Sequence, residues 1–338
     1  MKAVVYTEYG SPEVLHLTEI AKPTPQAADI LVRIEARSVN FGDITARNFK
    51  AIAPRNFNMP FLMWLPARLV FGLRKPRINI LGNEFAGVVE AVGADVQQFK
   101  PGDRVFGYRG QQMGANAEYL LMPATGVVTH MPANLTYEEA AVIPAGTITA
   151  LNLLRNMNIQ PGQKVLINGA SGGIGSAAVQ LAKHYGAEVT GVAGTPRLDY
   201  VQALGADHVL DYTREDFTKG DTTYDLIFDI LGRSTFAAAK RVLAPHGRYL
   251  PGSFKMREVR QALWTARRGG QKVIVALAPE RQADLERIRE LVEAGVIKPI
   301  VDRCFPLEQT AAAHRYAESG QKRGSIVVVT TPERVAAA

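Results

Sequence analysis

A single cysteine, Cys304, stands among 338 residues. No intramolecular disulfide can form, which excludes a disulfide-stapled secreted scaffold and fits a reducing compartment. Nowhere does the sequence approach the roughly 18 consecutive apolar residues of a membrane-spanning helix. Met1-Lys-Ala-Val-Val-Tyr6 enters a strand pattern at once, without the charged lead and apolar core of a secretion signal, and a soluble, cytoplasmic protein is expected. The six histidines, at positions 16, 130, 184, 208, 246 and 314, lack the close spacing of a metal cluster and read as surface or packing residues. A formal net charge of +7 raises the question of nucleic acid. The basic residues are dispersed, however, with no arginine-rich block or aromatic-basic platform. No nucleic-acid partner is expected, and the charge reads as an attraction for anionic ligands. There is no internal repeat or low-complexity segment. With 47% hydrophobic residues the chain can bury a full core, and its length fits two domains better than one.

Against these absences stands Val165-Leu-Ile-Asn-Gly-Ala-Ser-Gly-Gly-Ile-Gly175, an apolar run that breaks into glycines and then into the helical stretch Ser176–Tyr185. Strand, tight turn and helix N-terminus in this order bind a dinucleotide pyrophosphate. The spacing is Ala170-x-Gly172-x-x-Gly175. Alanine takes the first glycine's place, Gly172 lets the backbone approach phosphate, and Gly175 lets the helix pack on the strand. Gly186-Ala-Glu-Val-Thr-Gly-Val-Ala193 follows as a second strand, then a helix from Pro196, then the strands His208–Asp211 and Leu226–Asp229. That succession separates a dinucleotide fold from an ordinary turn that merely tolerates glycine.

The cofactor's phosphate is read from the end of the second strand. An enzyme selecting NAD places Asp or Glu about 20 residues beyond the first glycine, on the ribose hydroxyls. This chain has Ala193-Gly-Thr-Pro-Arg197 there, and the nearest acid, Glu188, lies at the strand's beginning. Thr195 is expected to cap the next helix with Pro196 at its first position. Backbone N–H groups, a hydroxyl and the Arg197 guanidinium would then converge on one phosphate. NADPH is therefore the expected cofactor; the competing reading makes Thr195 only a cap and Arg197 only a solvated helix residue.

Ahead of the glycine loop, up to about Thr129, short runs such as Ile30–Ile34, Gly87–Val92 and Asp103–Phe106 are separated by Pro, Gly and Asp turns, the pattern of a mostly β domain. A helical middle, Tyr137–Met157, leads into alternating strands and helices as far as about Gly269, which require a parallel sheet with covered faces. Beyond it, Gln282–Ala294 reads as a helix and Ile300–Phe305 and Ser325–Thr330 as strands that rejoin the first domain. The expected division is 1–129 completed by 270–338, with 130–269 inserted as the dinucleotide-binding domain. The tail after Thr331 has little to bury and is expected to fray.

Along almost its whole length the chain resembles the medium-chain dehydrogenase/reductase superfamily, best in its quinone oxidoreductase branch. The matches are Met1–Tyr6, Tyr9–Leu15, Ser38-Val-Asn-Phe-Gly-Asp43, Gly82-Asn-Glu-Phe-Ala-Gly87, Pro101–Gly107, Ala117–Tyr119, Pro144–Ala150, the glycine loop, Leu204–Asp207, Asp211–Thr213 and Gly320–Gly324, all in register. The resemblance implies an α/β protein with a GroES-like β-barrel catalytic domain, a Rossmann domain with a doubly wound parallel sheet, and a substrate cleft between them. It also implies a homodimer paired through the Rossmann sheet.

In the zinc-dependent members of that superfamily a Cys falls where this chain has Asn40, a His at Asn83, and a further Cys or acid near Pro144. None of these is a normal zinc ligand, and a four-cysteine structural lobe is impossible with one cysteine. No metal is expected. Without a strong Lewis acid, interconversion of alcohols and aldehydes is disfavoured. A quinone or an α,β-unsaturated carbonyl is easier, since it accepts hydride where charge delocalises onto oxygen. The resemblance implies this small, hydrophobic substrate class too. Three residues are candidate hydrogen-bond donors: Asn40, otherwise a turn former; Thr147, otherwise a cap or helix back-bond; and Tyr108, otherwise a packing tyrosine. Many relatives carry a tyrosine shortly after the Asn-Phe pair, where this chain has Ile44-Thr45.

By the same resemblance Ser171, Gly172, Gly173 and Ile174 form the pyrophosphate loop, Thr195 and Arg197 meet the 2′-phosphate, and Tyr212 lies along that phosphate or the adenine. Gly194 stands where relatives often have Ser. Ile230 and Leu231 border the ligand crevice or belong to the sheet core. Arg323 and Gly324 match a late Gly-Lys element near the nicotinamide. The stretch 49–79 is the most individual. It reads as a lid whose Phe61, Met63 and Trp64 line a pocket, as a surface element docking a membrane that holds quinone, or as a helix buried against the barrel or a partner. The expected function is zinc-free, NADPH-dependent reduction of a quinone or enone. The alternatives are a dinucleotide-binding redox sensor or structural protein with little turnover, and an enoyl thioester reductase.

Overall fold

The structure, a computed structural model, describes residues 1–57 and 59–330; the tail expected to fray lies outside the described residues. Contacts divide the chain into two compact units. One comprises Met1–Ala53, Pro66–Ala145 and the chain from Glu280 onward, the other Pro54–Leu65 and Gly146–Pro279.

In the first unit, β1 (Lys2–Val5) and β2 (His16–Glu19) form an antiparallel hairpin. The long β3 (Asp29–Val39), β4 (Glu84–Val92), β5 (Arg104–Tyr108), β6 (Tyr119–Pro123) and β7 (Val128–His130) carry the barrel. The β3 strand is almost wholly buried because it is paired along both edges: β4 on one side, β6 at its start on the other. Ile30, Val32, Ile34, Phe85, Val105 and Val128 meet beneath it with no exposed surface or nearly none. Each such side chain contributes about 1.5–3 kcal/mol relative to an exposed one.

The second unit is a six-stranded parallel sheet of β8 (Lys164–Asn168), β9 (Glu188–Ala193), β10 (His208–Asp211), β11 (Tyr224–Asp229), β12 (Leu243–Pro251) and the short β13 (Lys272–Val273), in the order β10-β9-β8-β11-β12-β13. The chain then returns to the first unit, where β14 (Val301–Pro306) lies parallel to β15 (Ser325–Val329), and β15 closes antiparallel on the second half of β3. This is the barrel-plus-Rossmann architecture that the motifs implied.

Two details differ from the sequence reading. The helical middle is two helices, Tyr137–Ala140 and Pro144–Arg155, because Pro144 has no N–H to continue the first and is well placed to start the second. The contact division falls at 145/146 and 279/280 rather than at 129/130 and 269/270. The helix Tyr137–Ala140 packs on β3 and β4, and β13 with the Ile274 N–H extends the parallel sheet beside Tyr249.

The glycine loop shows why the sheet and its first helix need a residue without a side chain. A Cβ on Gly175 would lie 2.1 Å from the Gly169 carbonyl oxygen, a backbone contact that cannot yield. Gly175→Ala is expected to destabilise the protein by about 2 kcal/mol or more. Calorimetric unfolding checks this, and an unchanged transition would refute the close approach.

Candidate functional site

The order of the parallel sheet reverses between β8 and β11, and at such a switch point the carboxyl ends of the strands part to leave a crevice. Asn168 ends β8, Asp229 ends β11, and the Asn168 amide donates to Asp229 at 2.8 Å. Asp229 is fully buried and also accepts from the Gly232 N–H, the Ser234 N–H and hydroxyl, and the Tyr249 hydroxyl. The loop leaving β11 is thus folded around one carboxylate. Sequence reasoning treated Asp229 only as the strand's last residue; an acid closing an otherwise apolar strand was the available signal.

On the other side of the switch point Gly172 caps the helix Gly173–His184 with extended backbone. The amides of Gly173, Ile174 and Gly175 therefore have no intrahelical acceptor and are free to meet an anion. A Cβ on Gly173 would meet nothing within 4 Å, so the turn opens onto space. Thr147 lies in this unit too, buried in the first turn of Pro144–Arg155.

A cleft of about 760 Å³ runs along the strand ends, lined among others by Asn168, Val192, Tyr212, Thr213, Leu231 and Arg233. Of the residues anticipated for the cofactor it gathers Tyr212 and Leu231. The Ile230 N–H is bonded to the Asn168 carbonyl beside it.

Thr195 departs from expectation. Gly194 occupies the cap position of the turn Thr195–Arg197, and the Thr195 hydroxyl donates instead to the Asp211 carboxylate and lies 3.2 Å from the Thr213 hydroxyl. The bonds from Thr195 and Thr213 hold the Asp211 carboxyl below its usual range. The single hydroxyl proton of Thr195 is thereby committed, and outward it offers a lone pair rather than a donor. Asp211 sits opposite Ala193 in the β9–β10 register. An acid missing from the end of β9 therefore stands at the end of the neighbouring strand, where inspection of β9 alone does not find it. A Cβ on Gly194 would lie 3.2 Å from the Tyr212 hydroxyl, so the glycine leaves room for Tyr212.

In the barrel unit the polar residues converge on buried carboxylates. Asn40 caps the helix Phe41–Arg47. Its side-chain oxygen accepts from Gly42 N–H at 2.8 Å, and the Asp43 carboxylate accepts from the Asn40 N–H at 3.0 Å. The other Asp43 oxygen accepts from Gly82 N–H at 2.8 Å. The Asn40 amide donates to Asn83 Oδ1 at 2.6 Å and to Glu84 Oε2 at 2.8 Å. Glu84 also accepts from the Ser38 hydroxyl and from the Ala145 N–H. Asp43, Asn83 and Glu84 are all buried. Burial raises the Glu84 carboxyl above its usual range and pushes Asp43 up to about 7. Asn40 is thus both the turn former and the donor of the two sequence readings, but its amide hydrogens go to the protein's own oxygens.

Tyr108 ends β5 directly across from Glu84. Burial, and after it the charges of Glu280, Glu84 and Asp43, raise the phenol above its usual range. It lines a second cleft, about 890 Å³, with Arg109, Gln112, Met122, Glu280, Val70 and Ile78. Arg323 and Gly324 lie in the turn entering β15, where the Arg323 N–H donates to Asp302 at 3.1 Å. Among the described residues no three His, Cys, Asp or Glu side chains converge as a metal site would require.

The stretch 49–79 folds as short turns followed by the helix Trp64–Phe71. Phe61 and Met63, expected to line a pocket, are 62% and 45% exposed. The residues of this stretch that line the barrel cleft are Val70 and Ile78.

Comparison with known proteins finds similar chains along most of this sequence. Residues 26–133 match the family model described as alcohol dehydrogenase GroES-like domain, and residues 204–328 the one described as zinc-binding dehydrogenase. The chain is 31% identical to a quinone oxidoreductase of Sus scrofa, over 93% of each chain. It is 29% identical to a 2-methylene-furan-3-one reductase of Solanum lycopersicum, over 98% of this chain and 80% of that one. Among solved structures, the quinone oxidoreductase of Escherichia coli complexed with NADPH superposes with a TM-score of 0.78 at 25% identity, covering 97% of this chain and all of the other.

The raised carboxyl of Asp43 has a definite pH signature. An acid protonated more readily in the folded state stabilises below its unfolded pKa, near 3.8, and loses that contribution as pH rises through about 7. Asp43→Asn removes the titration. Its destabilisation relative to the native protein should be greatest near pH 4 and shrink steadily toward pH 7, as measured by urea unfolding of both proteins. A gap that widens with pH would show that Asp43 is ionised in the fold.

Proposed function

The chain belongs to the medium-chain dehydrogenase/reductase superfamily, in its quinone oxidoreductase branch, and is a nicotinamide-dependent oxidoreductase. On that premise we propose that it transfers hydride from NADPH to a quinone or an α,β-unsaturated carbonyl without the help of zinc. The observation that carries the proposal is the bonding around Asn40. At two positions where zinc-dependent members hold Cys and His, this chain has the amides of Asn40 and Asn83, bonded to each other at 2.6 Å. The adjacent Glu84 carboxylate is occupied by the Ser38 hydroxyl, the Asn40 amide and the Ala145 N–H. Such a set is bonded within itself and is not a normal set of zinc ligands, and a conjugated acceptor needs no Lewis acid, because its electron pair moves onto an oxygen that a separate donor can receive.

NADPH, when bound, supplies the hydride. In this reading the amides of Gly173 and Ile174, with Ser171 and Gly172, take the pyrophosphate, and Arg197 and Tyr212 take the 2′-phosphate without the Thr195 hydroxyl, whose proton goes to Asp211. Leu231, beside Ile230, packs against the nucleotide, and Arg323 and Gly324 border its nicotinamide end. Tyr108 holds its proton through the neutral range and is the best-placed donor to the acceptor's oxygen, with Asn40 positioning Glu84 and Thr147 the nicotinamide. The tomato relative's named substrate, an enone, and the NADPH in the E. coli structure support the same reading.

The test is cofactor oxidation by chelator-treated protein against a benzoquinone, an ortho-quinone, a short enone and a simple aldehyde, with NADH run in parallel. Turnover of quinone or enone with NADPH is expected. Chelator-sensitive aldehyde reduction would overturn the zinc-free assignment, and NADPH binding without turnover on any acceptor would favour a sensor or structural role. Arg197→Ala should raise the Kd for NADPH about tenfold or more while changing that for NADH little, as a charged bond to phosphate is lost. Equal losses for both cofactors, measured by fluorescence titration, would remove Arg197 from the phosphate site.

A further inference from the structure

Between Asp43 and Glu84 the sequence runs for forty residues without an acid, yet it holds Arg47, Lys50, Arg55, Arg68, Arg74, Lys75 and Arg77. Basic residues are spread along the whole chain, but elsewhere they are matched: the remaining 32 Lys and Arg equal the 32 Asp and Glu. This one stretch therefore carries the entire formal net charge of +7. It is also where apolar surface collects. Of the fifteen large hydrophobic side chains exposed among the described residues, seven fall within Phe61–Leu73: Phe61, Leu62, Met63, Leu65, Leu69, Val70 and Leu73.

The helix Trp64–Phe71 explains how both properties coexist with a firm attachment. Its inward residues are Arg68 and Phe71, both buried. Phe71 stacks on Phe49 with ring centroids 4.9 Å apart, and the Arg68 guanidinium lies over the Phe49 and Tyr9 rings. Arg68 donates to the Leu73 carbonyl at 2.6 Å, and the Tyr9 hydroxyl is within bonding distance of the Phe71 and Gly72 carbonyls. The last turn is thereby fastened from below. Leu69, beside the buried Arg68, is exposed, and so is Leu73 just past the end of the helix. Arg74, Lys75 and Arg77 follow at once, all exposed.

We propose that the Pro66–Arg77 segment, with Leu69, Val70 and Leu73 as its exposed apolar residues, is an interfacial docking surface for bilayers that carry anionic lipid. Apolar side chains rimmed by cations of a single sign, on a short helix held to the body through Arg68 and Phe71, suit insertion to the depth of the headgroups. The missing acids favour a negative lipid surface over a second copy of this chain, whose same face would bring like charges together. Val70 also lines the cleft that Tyr108 lines, so docking sets the mouth of that cleft at the interface, where apolar acceptors partition. That last consequence rests on the proposed reductase activity; the binding itself does not.

The full chain, sedimented with phosphatidylcholine vesicles and with vesicles containing phosphatidylglycerol, tests this without any turnover. Binding to the anionic vesicles is expected, weakened by salt and absent with phosphatidylcholine alone. Arg74→Glu with Lys75→Glu should lower partitioning at least about tenfold, and Leu69→Ser with Leu73→Ser should lower it comparably with the charge intact. Thermal unfolding shows that both variants are folded. No binding of the native protein to anionic vesicles at low salt would overturn the proposal. So would undiminished binding by the charge-reversed variant, or a dimer in light scattering that Leu69→Ser with Leu73→Ser converts to monomer, which would give the face to a second copy.

Discussion

The hydrogen bond from the Asn40 amide to the Glu84 carboxylate is the contact around which one end of the barrel is arranged. A carboxylate taken out of water costs several kcal/mol unless donors replace the water it loses. Glu84 is 3% exposed and receives three donors from three places in the sequence: the end of β3, the cap of the following helix and the start of the helix Pro144–Arg155. Meeting that electrostatic demand fixes where those segments stand. Asn40 can serve Glu84 because its oxygen is simultaneously engaged by the helix it caps, which leaves its NH₂ pointing back toward the strand. The barrel end is therefore defined by hydrogen-bond accounting as much as by apolar packing.

The same accounting applies in the sheet unit. Asp229 receives five donors and organises the loop after β11, while Asp211 takes the hydroxyls of Thr195 and Thr213 and shapes the turn after β9. In both units the buried acids stand beside the candidate sites rather than in them, and their role is to set the direction in which other groups point.

Much of the fold was legible because it is written in local patterns. The apolar run before Gly169, the helix after it and the alternation that follows give the parallel sheet without knowledge of the partner strands. The β12 strand was less accessible, since Pro245 and Gly247 interrupt Leu243–Pro251 and read as turn residues; pairing with β11 overrides them. At the site, the strand, glycine turn and helix of the glycine loop could be read off directly. Thr195 could not, because its partner, Asp211, becomes its neighbour only when β10 lies beside β9. Phe61 and Met63, for which pocket lining was one of three readings, are exposed in the turn before the helix Trp64–Phe71, and hydrophobicity in sequence does not reveal which apolar side chains stay at the surface.

The pairing of β15 with β3 sets the order in which this molecule can be made. Ile326 lies opposite Val39 and Val329 opposite Ala36, so the second half of the central barrel strand lacks this edge partner until β15 has been synthesised. The parallel sheet, from β8 to β13, is complete by Val273. On a ribosome the later-encoded unit therefore finishes first, while the unit encoded at the start waits with β3 unpaired along half of one edge. An open strand edge is what extraneous chains add to. A nascent chain halted shortly before β15 is accordingly more exposed to aggregation than one in which β15 has paired, and the arrival of β15 ends that exposure.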